Sequence, residues 1–420
     1  MVSAGIEAIN IFGGSAVLDV GLLADHRGLD RKRFDNLMIS EKSVALPIED
    51  PVTYAVNAAQ PLINALSPEE KDRIEMLIVC SESGIDFGKS MSTYVHKYLE
   101  LNSNCRLFEI KQACYSGTAG LQNAVNFILS KTSSGAKALV ITSDISRYAL
   151  KDDEKIEDVE WSYAEPSGGA GAVAMLVSEK PDIFAIDIGA NGYYGYEVMD
   201  TCRPIADSEV GDPDLSLLSY LDCLEQSFNE YSRRVKMAEF KKSFGYLSFH
   251  TPFGGMVKGA HRTMMRKLYR SNPEDIESDF ERRMSPGIKF CLRTGNSMAS
   301  GIFISLASTI HHAKPTQAHR VGCFSYGSGC CSEFYSGIIT PEAIARVKSM
   351  KIDENLDARY KLNMDEYDDF LKGSNQVLFG TKNYKFSGQY DAIVNESHHR
   401  DKNTLILDEV KNYERLYRWI

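Results

Sequence analysis

EIKQACYSGTAGLQN, residues 109–123, joins two patterns. Upstream, Cys105, Leu107 and Ile110 fall in an apolar–polar alternation that predicts a strand. Downstream, Ala119, Leu121, Ala124, Val125, Ile128 and Leu129 recur at helical spacing. Cys114 sits at the join, and the small residues Ser116, Gly117 and Thr118 open the helix and leave room for a substrate to approach. A cysteine at a helix N-terminus faces unpaired N–H groups and the positive end of the macrodipole, which favours thiolate. The same residue also reads as a buried, inert cysteine, and position alone leaves both readings open.

Working outward, Ile74–Cys80 (IEMLIVC), Ala136–Thr142 (AKALVIT) and Ala172–Ser178 are apolar runs of the kind found in strands buried on both faces. Helical patterns lie between and around them at 51–66 and 89–101, and Ser67-Pro68-Glu69-Glu70 is a capping box with proline at N1. The class is α/β. Glu82 follows the strand ending at Cys80, where open α/β sheets place their ligand crevice; a turn cap is the alternative. The glycine-rich Glu165–Gly171 (EPSGGAG) lacks the Gly-Lys-Ser/Thr of a phosphate loop and is expected to form a tight turn.

A second series begins at Ile183–Ile188. It continues with a helix at 217–236, a strand at 244–249 ending in His250, and a helix at 255–271. His250 beside Pro252 and Gly254-Gly255 is placed for chemistry or satisfied structurally. Lys258, Arg262, Arg266 and Arg270 form one row along the 255–271 helix, and no acid occurs between 251 and 273. Like charges four apart repel, so the row is expected to meet an anion; Arg31-Lys32-Arg33 reads equally as an anion contact or a solvated helix start. Asn296 precedes a helix at 300–311 and reads as part of its cap or of a site. Val321–Phe324 ends in Ser325-Tyr326-Gly327-Ser328-Gly329, a turn that exposes backbone N–H groups. Beyond about residue 340 the chain is polar but keeps apolar positions such as Phe370, Leu378 and Phe379, so it is expected to pack. His398-His399 is a metal pair without a third ligand, a pattern expected at a surface.

A net charge of −10 argues against generic nucleic-acid binding. No apolar run is long enough to span a bilayer and no secretory signal is evident, so a cytoplasmic location is expected. Nine cysteines without paired spacing argue against a disulfide framework or a zinc cage.

QACYSGTAGLQ, TSDISRY, EPSGGAGAVAMLVS, FHTPFGGMVK, GNSMASG and SYGSG, in that order, resemble the motif series of 3-hydroxy-3-methylglutaryl (HMG)-CoA synthases. The resemblance covers roughly residues 4–340. It implies a thiolase-like fold of two related αβ halves in five layers, assembled as a homodimer. The halves would be residues 1–180, carrying Glu82 and Cys114, and 181–420, carrying His250, Asn296 and the 325–329 turn. It further implies that Cys114 takes an acetyl group and that Glu82 removes a methyl proton from it. His250 would contact and protonate the acceptor's ketone oxygen, and Asn296 would hold the acceptor. Backbone N–H groups of Cys114 and Ser328 would form the oxyanion hole, with Tyr326 lining the pocket. No metal or redox cofactor is implied.

The spellings ACYSGTAG and FHTPFGGMVKGAHR look more like the polyketide β-branching branch, whose acyl groups ride on the phosphopantetheine of acyl carrier proteins. Arg33, Lys258, Arg262 and Arg266 would suit an acidic carrier, and equally the phosphates of coenzyme A, so charge does not choose between branches. The alternatives are a CoA-dependent synthase of the mevalonate pathway and a non-catalytic scaffold that docks carriers through the basic helix.

Overall fold

The run IEMLIVC forms strand Ile74–Cys80, and its alternate side chains enter two different cores. Leu77 and Val79 face one side, with Leu46, Val52 and Val95; Met76, Ile78 and Cys80 face the other, with Leu121 and Val125. A strand buried on both faces needs no polar alternation, which is why the sequence shows none. This computed structural model describes residues 3–146, 164–205, 208–314, 316–397 and 403–420.

Nine strands form one sheet in the order Tyr246–Phe249, His319–Gly327, Cys331–Ile339, Phe184–Gly195, Gly5–Phe12, Ala170–Ser178, Lys137–Ile145, Ile74–Cys80, Arg106–Ile110. The two groups of strands meet where Gly5 and Ile6 pair with Ala185 and Phe184. Helices Ser116–Ser130 and Gly301–His312 are wedged between the groups, since Leu121, Ile302 and Leu306 share a core with Met175 of the first and Cys323 of the second. Helices Pro51–Asn64 and Met91–Tyr98 cover the outer face of the first group. Helices Pro213–Arg234 and Gly254–Tyr269 cover the second through Phe228, Val257 and Phe334. Helix, strand, helix, strand, helix is the expected five-layer α/β arrangement.

The expected capping box forms, and a second cap, not read from the sequence, joins it. Ser67 and Glu70 exchange side-chain bonds with each other's N–H (3.2 Å each), and Asp50 caps helix Pro51–Asn64. Two local expectations change. EPSGGAG begins with a helical turn, Ala164–Ser167, before the strand. The strand expected at 321–324 extends over His319–Gly327 and returns as Cys331–Ile339, so the turn is the tip of a long hairpin. The polar C-terminal region packs, as expected, around the three-stranded sheet Asn383–Lys385, Leu405–Lys411 and Glu414–Trp419. Leu405, Ile406 and Leu407 are fully buried in the core of helix Pro51–Asn64, and Arg415 pairs with buried Asp50 (3.1 Å). His398-His399 lies outside the described residues. No helix among the described residues is long and apolar enough to cross a membrane.

Candidate active site

Cys114 lies between strand Arg106–Ile110 and helix Ser116–Ser130. Ala113 adopts φ +42°, a left-handed conformation that costs of order 1–3 kcal/mol and turns the chain sharply into the helix. The small residues after Cys114 serve packing, not substrate access as expected. Ser116 and Thr118 are fully buried, and a Cβ on Gly117 would meet Thr142 at 2.6 Å and the Ala299 carbonyl at 2.8 Å. Glycine there lets the helix press against both neighbours.

Glu82 stands just past strand Ile74–Cys80, and its Oε2 lies 3.9 Å from the Cys114 sulfur. Buried Asp144, at the end of strand Lys137–Ile145, fixes this loop. One oxygen accepts from the N–H groups of Glu82 (2.9 Å) and Ser83 (3.0 Å); the other accepts from Ala299 N–H (3.0 Å). Arg203, from strand Thr201–Ile205, donates from Nη2 to the second Glu82 oxygen at 3.1 Å.

His250 follows strand Tyr246–Phe249. Its N–H donates to Phe324 O (2.8 Å), and Tyr220 donates to its carbonyl (2.7 Å). The ring is 1% exposed, with Nδ1 unpartnered beside Gly301, so Nε2 is the nitrogen left for the cavity. Buried Asp200 accepts from the Tyr326 hydroxyl (2.5 Å) and from Gly329 N–H (2.9 Å), holding the tip of the hairpin. Asn296 is placed by the EPSGGAG segment: its N–H donates to Ser167 O (2.7 Å) and its carbonyl accepts from Gly169 N–H (2.9 Å).

One cavity of about 640 Å³ is lined by Glu82, Cys114, His250, Asn296, Tyr326 and Ser328, with Arg203 and Glu209. Burial raises the Glu82 carboxyl to about 8; Arg203 opposes the rise, and Asp144 and Glu209 add to it. Burial, then the nearby Glu82, raises the Cys114 thiol, so the resting sulfur is protonated and the helix N-terminus does not prevail as expected. Burial pushes His250 down to about 3, leaving a neutral imidazole.

Residues 2–182 match the family description "Hydroxymethylglutaryl-coenzyme A synthase N terminal" and residues 275–418 match the corresponding C-terminal description. The chain belongs to the HMG-CoA synthase family. It is 61% identical over 420 residues, all of both chains, to the polyketide biosynthesis 3-hydroxy-3-methylglutaryl-ACP synthase PksG of Bacillus subtilis. It is 32% identical to the hydroxymethylglutaryl-CoA synthase of Enterococcus faecalis, with 87% of this chain and 90% of that one covered. A solved structure of the curacin pathway HMG synthase in complex with holo donor-ACP superposes over 100% of both chains at a TM-score of 0.95 and 56% identity. These neighbours share the thiolase-like fold.

The basic residues Lys258, Arg262 and Arg266, expected to meet an anion, do not line the cavity. Lys258 is paired with Glu277 (2.7 Å), so an acid from the next helix partly answers the row. Arg262 and Arg266 are exposed and have no ion-pair partner among the described residues; they line a second depression with Asp35 and Asn36. Arg33 falls in the short helix Arg31–Asp35, and its side chain lies outside the described residues. Arg203, Glu209, Asp144 and Asp200 escaped the sequence reading. Only Asp144, at the end of an apolar run as Glu82 is, carried a positional signal.

Proposed function

We propose that this synthase condenses acetyl groups with β-ketoacyl chains, both delivered on the phosphopantetheine of acyl carrier proteins, and so begins a β-branch in a polyketide. Cys114 attacks the acetyl thioester, and the carrier thiol leaves with the proton that the cysteine loses. Glu82 then removes a proton from the methyl group of acetyl-Cys114, and the resulting carbon adds to the acceptor's β-ketone. Neutral His250 hydrogen-bonds the ketone oxygen through its N–H and is the proton source for the alkoxide that forms there. Asn296 and Tyr326 bound the acceptor. The N–H groups of Cys114 and Ser328 receive the thioester oxyanion, an interaction worth a few kcal/mol per donor. Water finally hydrolyses the thioester, freeing Cys114 and leaving a carboxymethyl group on the β-carbon.

The carrying observation is the 3.9 Å approach of the Cys114 sulfur to the Glu82 carboxylate in a cavity that His250 also lines. Full-length similarity to PksG favours carriers over free coenzyme A. Exposed Arg262 and Arg266, with Lys258, form the proposed docking face for an acidic carrier. The two halves, 1–180 and 181–420, would each supply one side of the reaction centre. The family resemblance supports assembly as a homodimer.

Incubation with acetyl-CoA and, separately, with acetylated carrier, followed by intact-mass measurement, tests the carrier assignment. Faster acetylation of Cys114 from the carrier is expected. Equal rates from both would return the protein to the CoA-dependent, mevalonate-type reading.

A further inference from the structure

We propose that Arg203 is a positioning residue that grips one oxygen of the Glu82 carboxylate and aims the other at the thioester on Cys114. The proposal rests on the function proposed above and deepens it. The two oxygens of Glu82 face different partners: Oε1 accepts from Arg203 at 3.1 Å, and Oε2 faces the Cys114 sulfur at 3.9 Å. A base held by one oxygen presents the other in a fixed direction. The guanidinium also reaches the Ser83 hydroxyl (3.4 Å) from Nη1, so it grips the base and the residue after it together.

The charges around Glu82 make the grip necessary. Asp144 comes from strand Lys137–Ile145 and Glu209 from strand Ser208–Gly211, while the Cys114 thiol, from the helix lead-in, is neutral and donates to Oε2. His250, across the cavity, is neutral. Arg203 is the cation in contact with Glu82 among the described residues, and it also lies 3.6 Å from Glu209. Arginine suits this role because its charge survives burial where a lysine would readily give up its proton, and because its fork can hold two acceptors. The carboxylate is raised by burial and relieved by Arg203, so the cation decides what fraction of Glu82 is available as base near neutral pH.

The test compares Arg203→Gln, Arg203→Lys and Glu209→Gln with the wild type. It reads the pH profile of condensation kcat and the mass of acetylated Cys114. Arg203→Gln is expected to move the profile alkaline by about one pH unit or more, the usual effect of losing a neighbouring opposite charge. At pH 7 that is about a tenfold or greater loss of kcat, with acetyl-Cys114 accumulating. Arg203→Lys is expected to fall between Arg203→Gln and the wild type. Glu209→Gln is expected to move the profile the other way. If Arg203→Gln does not fold, the opposed shifts of the other two variants carry the test. Profiles that superpose on the wild type, or a change in KM alone, would overturn the proposal while leaving the proposed function standing. A wild type that forms no condensation product would instead remove that function.

Discussion

Burial raises both Glu82 and Cys114; the Glu82 charge raises the thiol further, while the thiol's hydrogen bond to Glu82 favours the carboxylate. In the proposed mechanism Glu82 acts as carboxylate, and its raised value means that this form is filled only as pH climbs through about 8. Condensation kcat is therefore expected to rise with pH between about 6 and 9 with a single-proton slope and then level. A profile flat across that range, measured at saturating substrates, would contradict the raised carboxyl. His250→Ala is expected to leave acetylation of Cys114 intact while lowering condensation by roughly 10²-fold or more, as for other lost proton donors. Unchanged condensation would remove the imidazole from the reaction. Glu82 and His250 were legible because each follows a largely apolar strand, where a sheet displays residues to a crevice, and Cys114 because it sits where a strand pattern gives way to a helical one. Arg203 and Glu209 were not, because TCRPIADSEVGD has neither periodicity nor a motif. Their meaning arises only when a hairpin brings them to Glu82, more than a hundred residues earlier in the chain.

At the scale of elements, the two glycine-dependent contacts and the C-terminal sheet carry the architecture. Gly169 is placed so that a Cβ would stand 1.9 Å from the Thr294 carbonyl, and it bonds to Asn296. Gly169→Ala is therefore expected to push the Asn296 segment out of the cavity. A fall in melting temperature together with a raised KM for the acceptor would show it, and wild-type values for both would refute it. Arg415 and Tyr417 both bond to buried Asp50, the N-cap of helix Pro51–Asn64. Arg415→Met strands that carboxylate and is expected to cost about 3–5 kcal/mol in denaturant unfolding. The strands buried on both faces were legible as unbroken apolar runs. Strand Cys331–Ile339 was not, because CSEFYSGII carries Glu333 into the interior. There Tyr115, Gln122 and Asn191 all donate to it, a compensation that no local pattern announces.

At the scale of the whole molecule, a chain of net charge −10 presents a local positive face at Arg262 and Arg266. If an acidic carrier docks there, its affinity is expected to fall with added salt, since surface charges are screened beyond about 10 Å at 0.1 M. Charge-reversing Arg266→Glu is expected to weaken carrier binding without altering the acetylated state reached at saturation. A salt-independent Kd would place the carrier elsewhere. The most direct test of the central claim is to load the Glu82→Ala enzyme with acetyl from its carrier, weigh it, and then add acetoacetyl-carrier. The account predicts one acetyl group on Cys114 that persists through the chase, with condensation down by about 10²–10⁴-fold. Product formed at the wild-type rate, or an acetyl group on another residue, would contradict it.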